Sequence, residues 1–155
     1  MIAIGKKAPA FSLKGSDGKL HKLSDYAGRK AVIYFYPKDD TPGCTKEACG
    51  FRLINKKLLG HNAVVLGVSR DPVESHVDFI KKFKLPFVLL SDPEGKIMEK
   101  YGAWGEKVMY GKKTLGVIRS TVIVGEDGKV LHHWARVPKA EAHPERVLQW
   151  LKDHE

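Results

Sequence analysis

Cysteine and long apolar runs are both scarce in this sequence. Two cysteines among 155 residues are too few for a disulfide-stabilised scaffold. A close pair in a reducing compartment is more typical of catalysis, redox sensing or metal binding. No apolar run approaches the roughly 20 residues that span a membrane, and residues 1–7 lack the apolar stretch of a signal peptide. We therefore expect a single domain over residues 1–155, located in the cytoplasm, with no membrane partner.

The sequence also lacks a concentrated tract of one charge. The chain carries 27 basic and 18 acidic residues, a net charge of +9, but its lysines are scattered as pairs. Neither zinc-finger spacing nor an aromatic RNA-binding signature accompanies them. We therefore predict a solvated basic surface and no nucleic-acid partner. A basic nucleic-acid binder remains a third alternative, which a salt-dependent affinity surviving the loss of both cysteines would reveal.

Apolar runs and turn residues alternate along most of the chain. An N-terminal β-hairpin is predicted around the turn 15–18. Continuous apolar or β-branched runs, typical of buried strands, then predict strands at 31–36, 63–69, 87–90, 120–124 and 130–134. Helical spacing and proline starts predict helices ending near 59, starting near 72, spanning 92–101 and starting at 144. The glycine-rich region 102–116 is predicted to be a loop. This order indicates an α/β fold with a mixed sheet and helices on both faces.

Both cysteines lie in the stretch that follows the predicted strand 31–36. Cys44 falls just inside a predicted helix start, where free backbone N–H groups and the positive end of the helix dipole favour a thiolate. Thr41 can cap this helix or donate its hydroxyl to an oxygen bound beside the sulfur. Pro37 and Pro42 stiffen the turn. We therefore predict a reactive thiol at Cys44 rather than an inert buried cysteine.

Cys49 follows Cys44 by five positions, and this spacing restricts what the pair can do. In an intact α-helix such residues have Cα atoms about 8.6 Å apart, whereas a disulfide needs no more than about 7 Å. A disulfide would require the first turns to unwind, which Gly50 makes easier by about 1 kcal/mol. The pair therefore favours a transient disulfide over a structural one. A zinc site, with His61 and His76 as further ligands, is an alternative without a second ligand pair at metal-site spacing.

Arg119 stands immediately before the predicted strand 120–124. One interpretation is a surface salt bridge. The other is a guanidinium that reaches the sulfur of Cys44 across a neighbouring strand. The sequence pattern does not decide between them.

These residues resemble a known family. The pattern Pro37-x-x-x-Thr41-x-x-Cys44 is similar to the active-site signature of the peroxiredoxins, and Cys49 is similar in position to the second cysteine of their Q-type branch, the bacterioferritin comigratory proteins. The resemblance covers nearly the whole chain. Further similar segments are Gly67–Asp71, Ser75-His76, Leu85–Phe87, Leu90–Asp92, Tyr101-Gly102, Tyr110–Lys112 and Arg119–Thr121. The resemblance implies a thioredoxin-like fold and a thiol peroxidase.

The resemblance also implies a role for each candidate site residue. These roles are peroxidatic nucleophile for Cys44, resolving thiol for Cys49, peroxide binding and polarisation for Thr41 and Arg119, pocket shaping for Pro37, and orientation of the arginine or peroxide for Glu47. It further implies hydroperoxide substrates, reduction of the disulfide by thioredoxin, a monomer, and no metal or organic cofactor. We expect Arg119 to lie close to the Cys44 sulfur in the reduced form. The alternative function is a non-catalytic thiol redox sensor that uses the same cysteine pair.

Overall fold

Nine strands are present in the computed structural model, which describes residues 2–155 apart from the side chain of Met109. They are β1 (Ser12–Gly15), β2 (Leu20–Lys22), β3 (Lys30–Phe35), β4 (Ala63–Ser69), β5 (Val88–Ser91), β6 (Trp104–Met109), β7 (Lys112–Val117), β8 (Ser120–Val124) and β9 (Val130–Trp134). Seven of them form one sheet in the order β2-β1-β5-β4-β3-β8-β9. Strands β3, β4 and β5 run parallel, and the strands on either side of them pair antiparallel.

Four α-helices cover the sheet. They are α1 (Pro42–Gly60), α2 (Val73–Phe83), α3 (Lys96–Lys100) and α4 (His143–Asp153). A short 3₁₀ helix spans Leu23–Tyr26. None of the helices described within residues 2–155 is long and apolar enough to span a membrane.

The side chains of β3 alternate between two hydrophobic cores. Val32 and Tyr34 belong to the core beneath α1, α2 and α4, whereas Ile33 and Phe35 belong to the core on the α3 side. Because both faces of β3 are covered, its sequence is continuously apolar rather than alternating. The predicted mixed α/β sheet with helices on both faces is confirmed.

The prediction of a loop over 102–116 is wrong. Strands β6 and β7 pair there as a separate two-stranded antiparallel hairpin. Its turn consists of Tyr110 and Gly111, which both have positive φ, 53° and 76°, as the tightest hairpin turns require. Val108 and Leu115 are exposed although they are apolar. Since the hairpin has no buried face along most of its length, its sequence lacks the alternation that identifies a strand.

Three helix starts also differ from the prediction. Pro72 is the N-cap of α2 rather than its first residue, α3 begins at Lys96 rather than near residue 92, and α4 begins at His143, one residue before Pro144. In the second case the backbone N–H of Gly95 bonds to the Asp92 carbonyl at 3.0 Å, and Gly95 has φ of 71°. Because Gly95 has this left-handed backbone conformation, residues 92–95 form a turn, and the helix begins only after it.

The fold brings the end of β3 and the start of α1 next to the start of β8. Because β3 pairs antiparallel with β8, Phe35 lies opposite Ser120. The residues that follow β3 and the residue that precedes β8 therefore meet at one edge of the sheet.

Candidate active site

Cys44 is the third residue of α1 and is 1% exposed. Pro42 begins the helix. At this position a backbone N–H would have no acceptor within the helix, so the N–H that proline lacks costs no hydrogen bond. Thr41 precedes it in an extended conformation and its carbonyl accepts the first helical bond, from the Thr45 N–H, at 2.8 Å. The sulfur thus lies in the first helical turn, where the free N–H groups and the helix dipole favour negative charge.

The Thr41 hydroxyl does not cap the helix, which was one of the two roles that its position in the sequence allowed. It donates instead to the Lys38 carbonyl at 2.8 Å, within the turn that leads to the helix. The N–H groups of the first turn therefore keep their capacity to bind another acceptor.

Arg119 contacts both the sulfur of Cys44 and a buried carboxylate. Its Nη2 donates to Cys44 Sγ at 3.2 Å, and its Nη1 donates to Glu47 Oε1 at 2.7 Å. Glu47 is fully buried, so this ion pair is not the surface salt bridge of the alternative interpretation. The guanidinium thus brings a positive charge and a hydrogen-bond donor directly to the Cys44 sulfur.

Gly43 leaves the space through which Arg119 reaches the sulfur. A Cβ at this position would lie 3.3 Å from Arg119 Nη2. Sequence reasoning missed this role of Gly43. Its place directly before the cysteine was the only signal, because a close approach between a side chain and a backbone favours glycine.

Burial raises the pKa of Glu47 to about 7, even though Arg119 opposes this shift. Burial alone would lower the pKa of Arg119, but the charges of Glu47 and Cys44 raise it overall, so its guanidinium remains charged. Among the described residues, Glu47 Oε2 has no hydrogen-bond partner. The Glu47 carboxyl can therefore gain or lose a proton near neutral pH.

Cys49 lies on the opposite, outward side of α1 from this cluster. It is partly exposed and lines a groove of about 370 Å³ between α1 and the start of α4. Cys44 and Cys49 are both free thiols, and α1 is continuous from Pro42 to Gly60. The structure is thus the reduced, helical state in which the two thiols do not meet.

Gly50 has a packing role that the sequence pattern did not reveal. A Cβ at Gly50 would lie 2.7 Å from Pro144 Cγ, closer than any real contact. The glycine therefore lets α1 and α4 approach closely, in addition to lowering the helix propensity next to Cys49.

Pro37 lies apart from Arg119. It lines an open groove of about 510 Å³ together with Arg70, Trp104 and Leu115, whereas Arg119 lines a groove of about 580 Å³ with Lys46 and residues 138–142. The structure thus joins Cys44, Glu47 and Arg119 by direct contacts. Thr41 lies directly before α1, and Pro37 lies at the start of the same turn but lines a different groove from Arg119.

A buried polar network fixes that turn, and sequence reasoning missed it. Asp39 accepts hydrogen bonds from Tyr36 Oη at 2.5 Å and from Ser75 Oγ at 2.8 Å, and its Oδ2 lies 2.7 Å from His76 Nδ1. His76 Nε2 donates to the Leu90 carbonyl at 3.0 Å. A buried histidine and a buried acid need such partners. The sequence feature that could have indicated this network is a histidine on the apolar face of α2.

These contacts leave His76 no free nitrogen for the zinc alternative. His61, at the end of α1, contacts Glu155 instead. In the described part of the chain, no group of three or more His, Cys, Asp or Glu side chains is arranged to hold a metal ion.

Helix α1 follows β3, one of three parallel strands in the middle of the sheet, and carries in its first turn a cysteine whose sulfur contacts an arginine. Comparison with known proteins gives the class of protein: residues 4–133 match the model of the AhpC/TSA family, and the chain belongs to that family, the peroxiredoxins.

Within the family the chain groups with the Bcp or peroxiredoxin Q proteins. It is 46% identical to peroxiredoxin Bcp of Bacillus subtilis over 98% of this chain and 96% of the relative. The bacterioferritin comigratory protein of Xanthomonas campestris has 38% identity and a TM-score of 0.90, covering 98% of this chain and 99% of its own. A cysteine mutant of PrxQ from Xylella fastidiosa has 37% identity and a TM-score of 0.92, with 99% and 98% coverage. The fold is thus thioredoxin-like, and the protein is a peroxidase of the oxidoreductase class.

Proposed function

We propose that this protein reduces hydrogen peroxide and organic hydroperoxides through Cys44, with Cys49 as the resolving thiol and thioredoxin as the reductant. The observation that carries the proposal is the 3.2 Å contact from Arg119 Nη2 to the Cys44 sulfur at the start of α1. A cationic donor at a helix N-terminus favours the reactive thiolate. The same donor lies where charge develops when a peroxide is attacked.

The first step is nucleophilic substitution at oxygen. The Cys44 thiolate attacks the terminal oxygen of ROOH, an S–O bond forms, and the O–O bond breaks with its electron pair going to RO⁻. Arg119, the free N–H groups of the first turn and the Thr41 hydroxyl stabilise this charge. The leaving oxygen then takes a proton from water to give ROH, and Cys44 becomes a sulfenic acid. To take part, Thr41 exchanges its bond to the Lys38 carbonyl for one to the peroxide.

Glu47 and Pro37 have supporting roles. Glu47 holds the guanidinium of Arg119 through the Nη1 bond, so that Nη2 points at the sulfur. Pro37 shapes the wall of the turn beside the thiol. An organic substrate extends over the apolar side chains of the neighbouring groove, which includes Trp104 and Leu115. The Xanthomonas campestris relative is known for an alkyl peroxide reduction activity, which supports this substrate class here.

The second step needs the first turns of α1 to unwind. The Cys49 thiol attacks the sulfur of the Cys44 sulfenic acid, a disulfide forms, and water leaves. Because both cysteines belong to one chain, resolution needs no second subunit, and we propose a monomer. Thioredoxin then reduces the disulfide by thiol–disulfide exchange and regenerates both thiols. We place the enzyme in the cytoplasm, where this reductant pair operates.

Two measurements test this function. Peroxide consumption with thioredoxin, thioredoxin reductase and NADPH is expected to continue for many turnovers and to be abolished by Cys44→Ser. If Cys44→Ser still turns over, the proposal is wrong, and a single turnover coupled to partner binding would indicate the redox sensor instead. The mass after one equivalent of peroxide is expected to fall by two hydrogens. A stable sulfinic acid or an intermolecular dimer would contradict resolution by Cys49.

A further inference from the structure

The outward face of α1 combines an exposed apolar side chain with positive charge beside Cys49. Leu53 follows Cys49 by four positions, so the two side chains are neighbours on the helix surface. Leu53 is 78% exposed, and both residues line the groove between α1 and α4. A leucine this exposed at the rim of a groove has no packing role in the chain itself.

The charges that helix α1 contributes to this face are all positive. The helix has five charged residues, and three of them, Lys46, Lys56 and Lys57, are exposed on the outward side with Cys49. Arg52 is partly buried and donates to the Phe83 carbonyl of α2. The fifth, Glu47, is buried on the opposite face. Lys56 follows Cys49 by seven positions, which is two helical turns and nearly the same direction. Two acidic residues, Glu141 and Glu145, line the opposite side of the groove. Glu141 forms an ion pair with Lys46 at 3.9 Å.

The part of α1 that bears Leu53 stays in place when the first turns unwind. Phe51, Ile54 and Leu58 are buried in the core beneath the helix, so releasing this half would expose three large apolar side chains. Leu53 and the lysines after it therefore keep their positions in the disulfide state. They form a fixed surface next to the sulfur that a reductant must reach.

We infer that the surface made of Leu53, Lys56 and Lys57, beside Cys49, is the docking surface for an acidic dithiol protein. The partner places an apolar patch around its reactive thiol against Leu53, and its acidic side chains face the lysines. The inference rests on the proposed function, since it assigns the surface that the reductant uses.

The experiment compares a protein reductant with a small one. kcat/KM for thioredoxin and the rate of disulfide reduction by dithiothreitol are measured for the wild type, Leu53→Ala and the matched control Leu59→Ala. Leu59 is also exposed, at 53%, but lies six positions later and about 120° around the helix. Leu53→Ala is expected to lower kcat/KM for thioredoxin by about tenfold, while Leu59→Ala leaves it unchanged and dithiothreitol reduces all three proteins at the same rate.

The charge component is tested with the double variant Lys56→Glu, Lys57→Glu. Raising the salt concentration from about 50 to about 300 mM is expected to lower kcat/KM of the wild type for thioredoxin and to affect the double variant much less. Equal losses in Leu53→Ala and Leu59→Ala, an unchanged Leu53→Ala, or a salt dependence that survives in the double variant would each overturn the docking surface. If dithiothreitol-driven turnover is absent as well, the proposed peroxidase function itself fails.

Discussion

Helix α1 has two halves that different contacts hold in place. Its first half, Pro42 to Cys49, contributes only the small side chains of Cys44 and Ala48 to the hydrophobic core, and polar contacts between Cys44, Glu47 and Arg119 hold it as well. Its second half is held by Phe51, Ile54 and Leu58, which are buried in one hydrophobic core. Polar contacts to a sulfur change when the sulfur is oxidised, whereas apolar burial does not. This difference is why we propose that, on oxidation, α1 opens at its start and remains folded at its end.

Removing the apolar anchor of the second half is expected to have the largest effect on stability. Phe51 is fully buried and its ring stacks on that of Tyr34 at 4.8 Å. Phe51→Ala is expected to lower the free energy of unfolding by about 3–5 kcal/mol, measured by urea denaturation of the reduced protein. The control is Leu53→Ala on the exposed side of the same half, expected to change it by less than about 0.5 kcal/mol. Similar losses in both variants would mean that burial does not anchor this half.

Removing the polar contact of the first half is expected to change the rate of the reaction with peroxide, besides leaving the buried Glu47 without its ion-pair partner. Arg119→Ala removes the donor to the Cys44 sulfur and is expected to slow the reaction with peroxide by about 10²–10³-fold, measured by stopped-flow fluorescence. The control is Arg136→Ala, which removes an exposed arginine that follows β9. A loss of less than about threefold in Arg119→Ala would show that Arg119 does not stabilise the transition state.

The protonation of Glu47 couples the first half to pH. Its pKa is about 7 in the folded protein, against an ordinary value of 4.5. An acid whose pKa is raised by folding stabilises the fold while it is protonated, and it loses this contribution as pH rises from about 4.5 to 7. The loss amounts to about 3 kcal/mol. The free energy of unfolding of wild type relative to Glu47→Gln is therefore expected to fall from pH 5 to pH 8.

The comparison with Glu47→Gln is needed because another group opposes this trend. Burial, followed by the nearby charges of Arg146 and Arg119, lowers the pKa of His143 to about 4. Because folding lowers this pKa, neutral His143 contributes to the free energy of unfolding above its ordinary pKa of 6.5. This contribution is lost as pH falls from 6.5 toward 4. It is common to both proteins and cancels in the difference. A difference that does not vary with pH would contradict the assigned titration of Glu47.

The junction between the two halves is expected to show the smallest effect. Gly50→Ala places a Cβ against Pro144 and is expected to destabilise the protein by about 1–3 kcal/mol through overpacking, measured by denaturation. The control is Gly60→Ala, where within the described chain a Cβ would meet no atom within 4 Å. That change is expected to be neutral or slightly stabilising. If Gly50→Ala were as neutral as Gly60→Ala, the close approach of α4 would not constrain the junction.

The central strands and the position of Cys44 could be predicted because each follows from local sequence. Residues 31–36 and 63–69 form continuous apolar runs, which indicate buried parallel strands. A proline before a helical pattern indicates the helix start, and hence the environment of the thiol. These signals lie within a few residues of the features they predict.

The features that the sequence did not reveal depend on distant contacts. Asp39 meets His76 across 37 positions. The contact of Arg119 with Glu47 joins residues 72 positions apart, and only the family resemblance, not the local pattern, implied it. Gly50 is required by Pro144 on another helix. The hairpin β6–β7 was missed for another reason, because exposed apolar side chains such as Val108 and Leu115 obscure the alternation of a strand.

Hydrogen exchange along α1 tests the different behaviour of its two halves most directly. Amide protection is to be compared between the reduced protein and the form oxidised by one equivalent of peroxide. Residues 44–50 are expected to lose protection on oxidation, whereas residues 54–59 are expected to remain protected. Protection retained throughout α1 in a protein with a verified Cys44–Cys49 disulfide would contradict this difference between the halves, as would loss of protection along the whole helix.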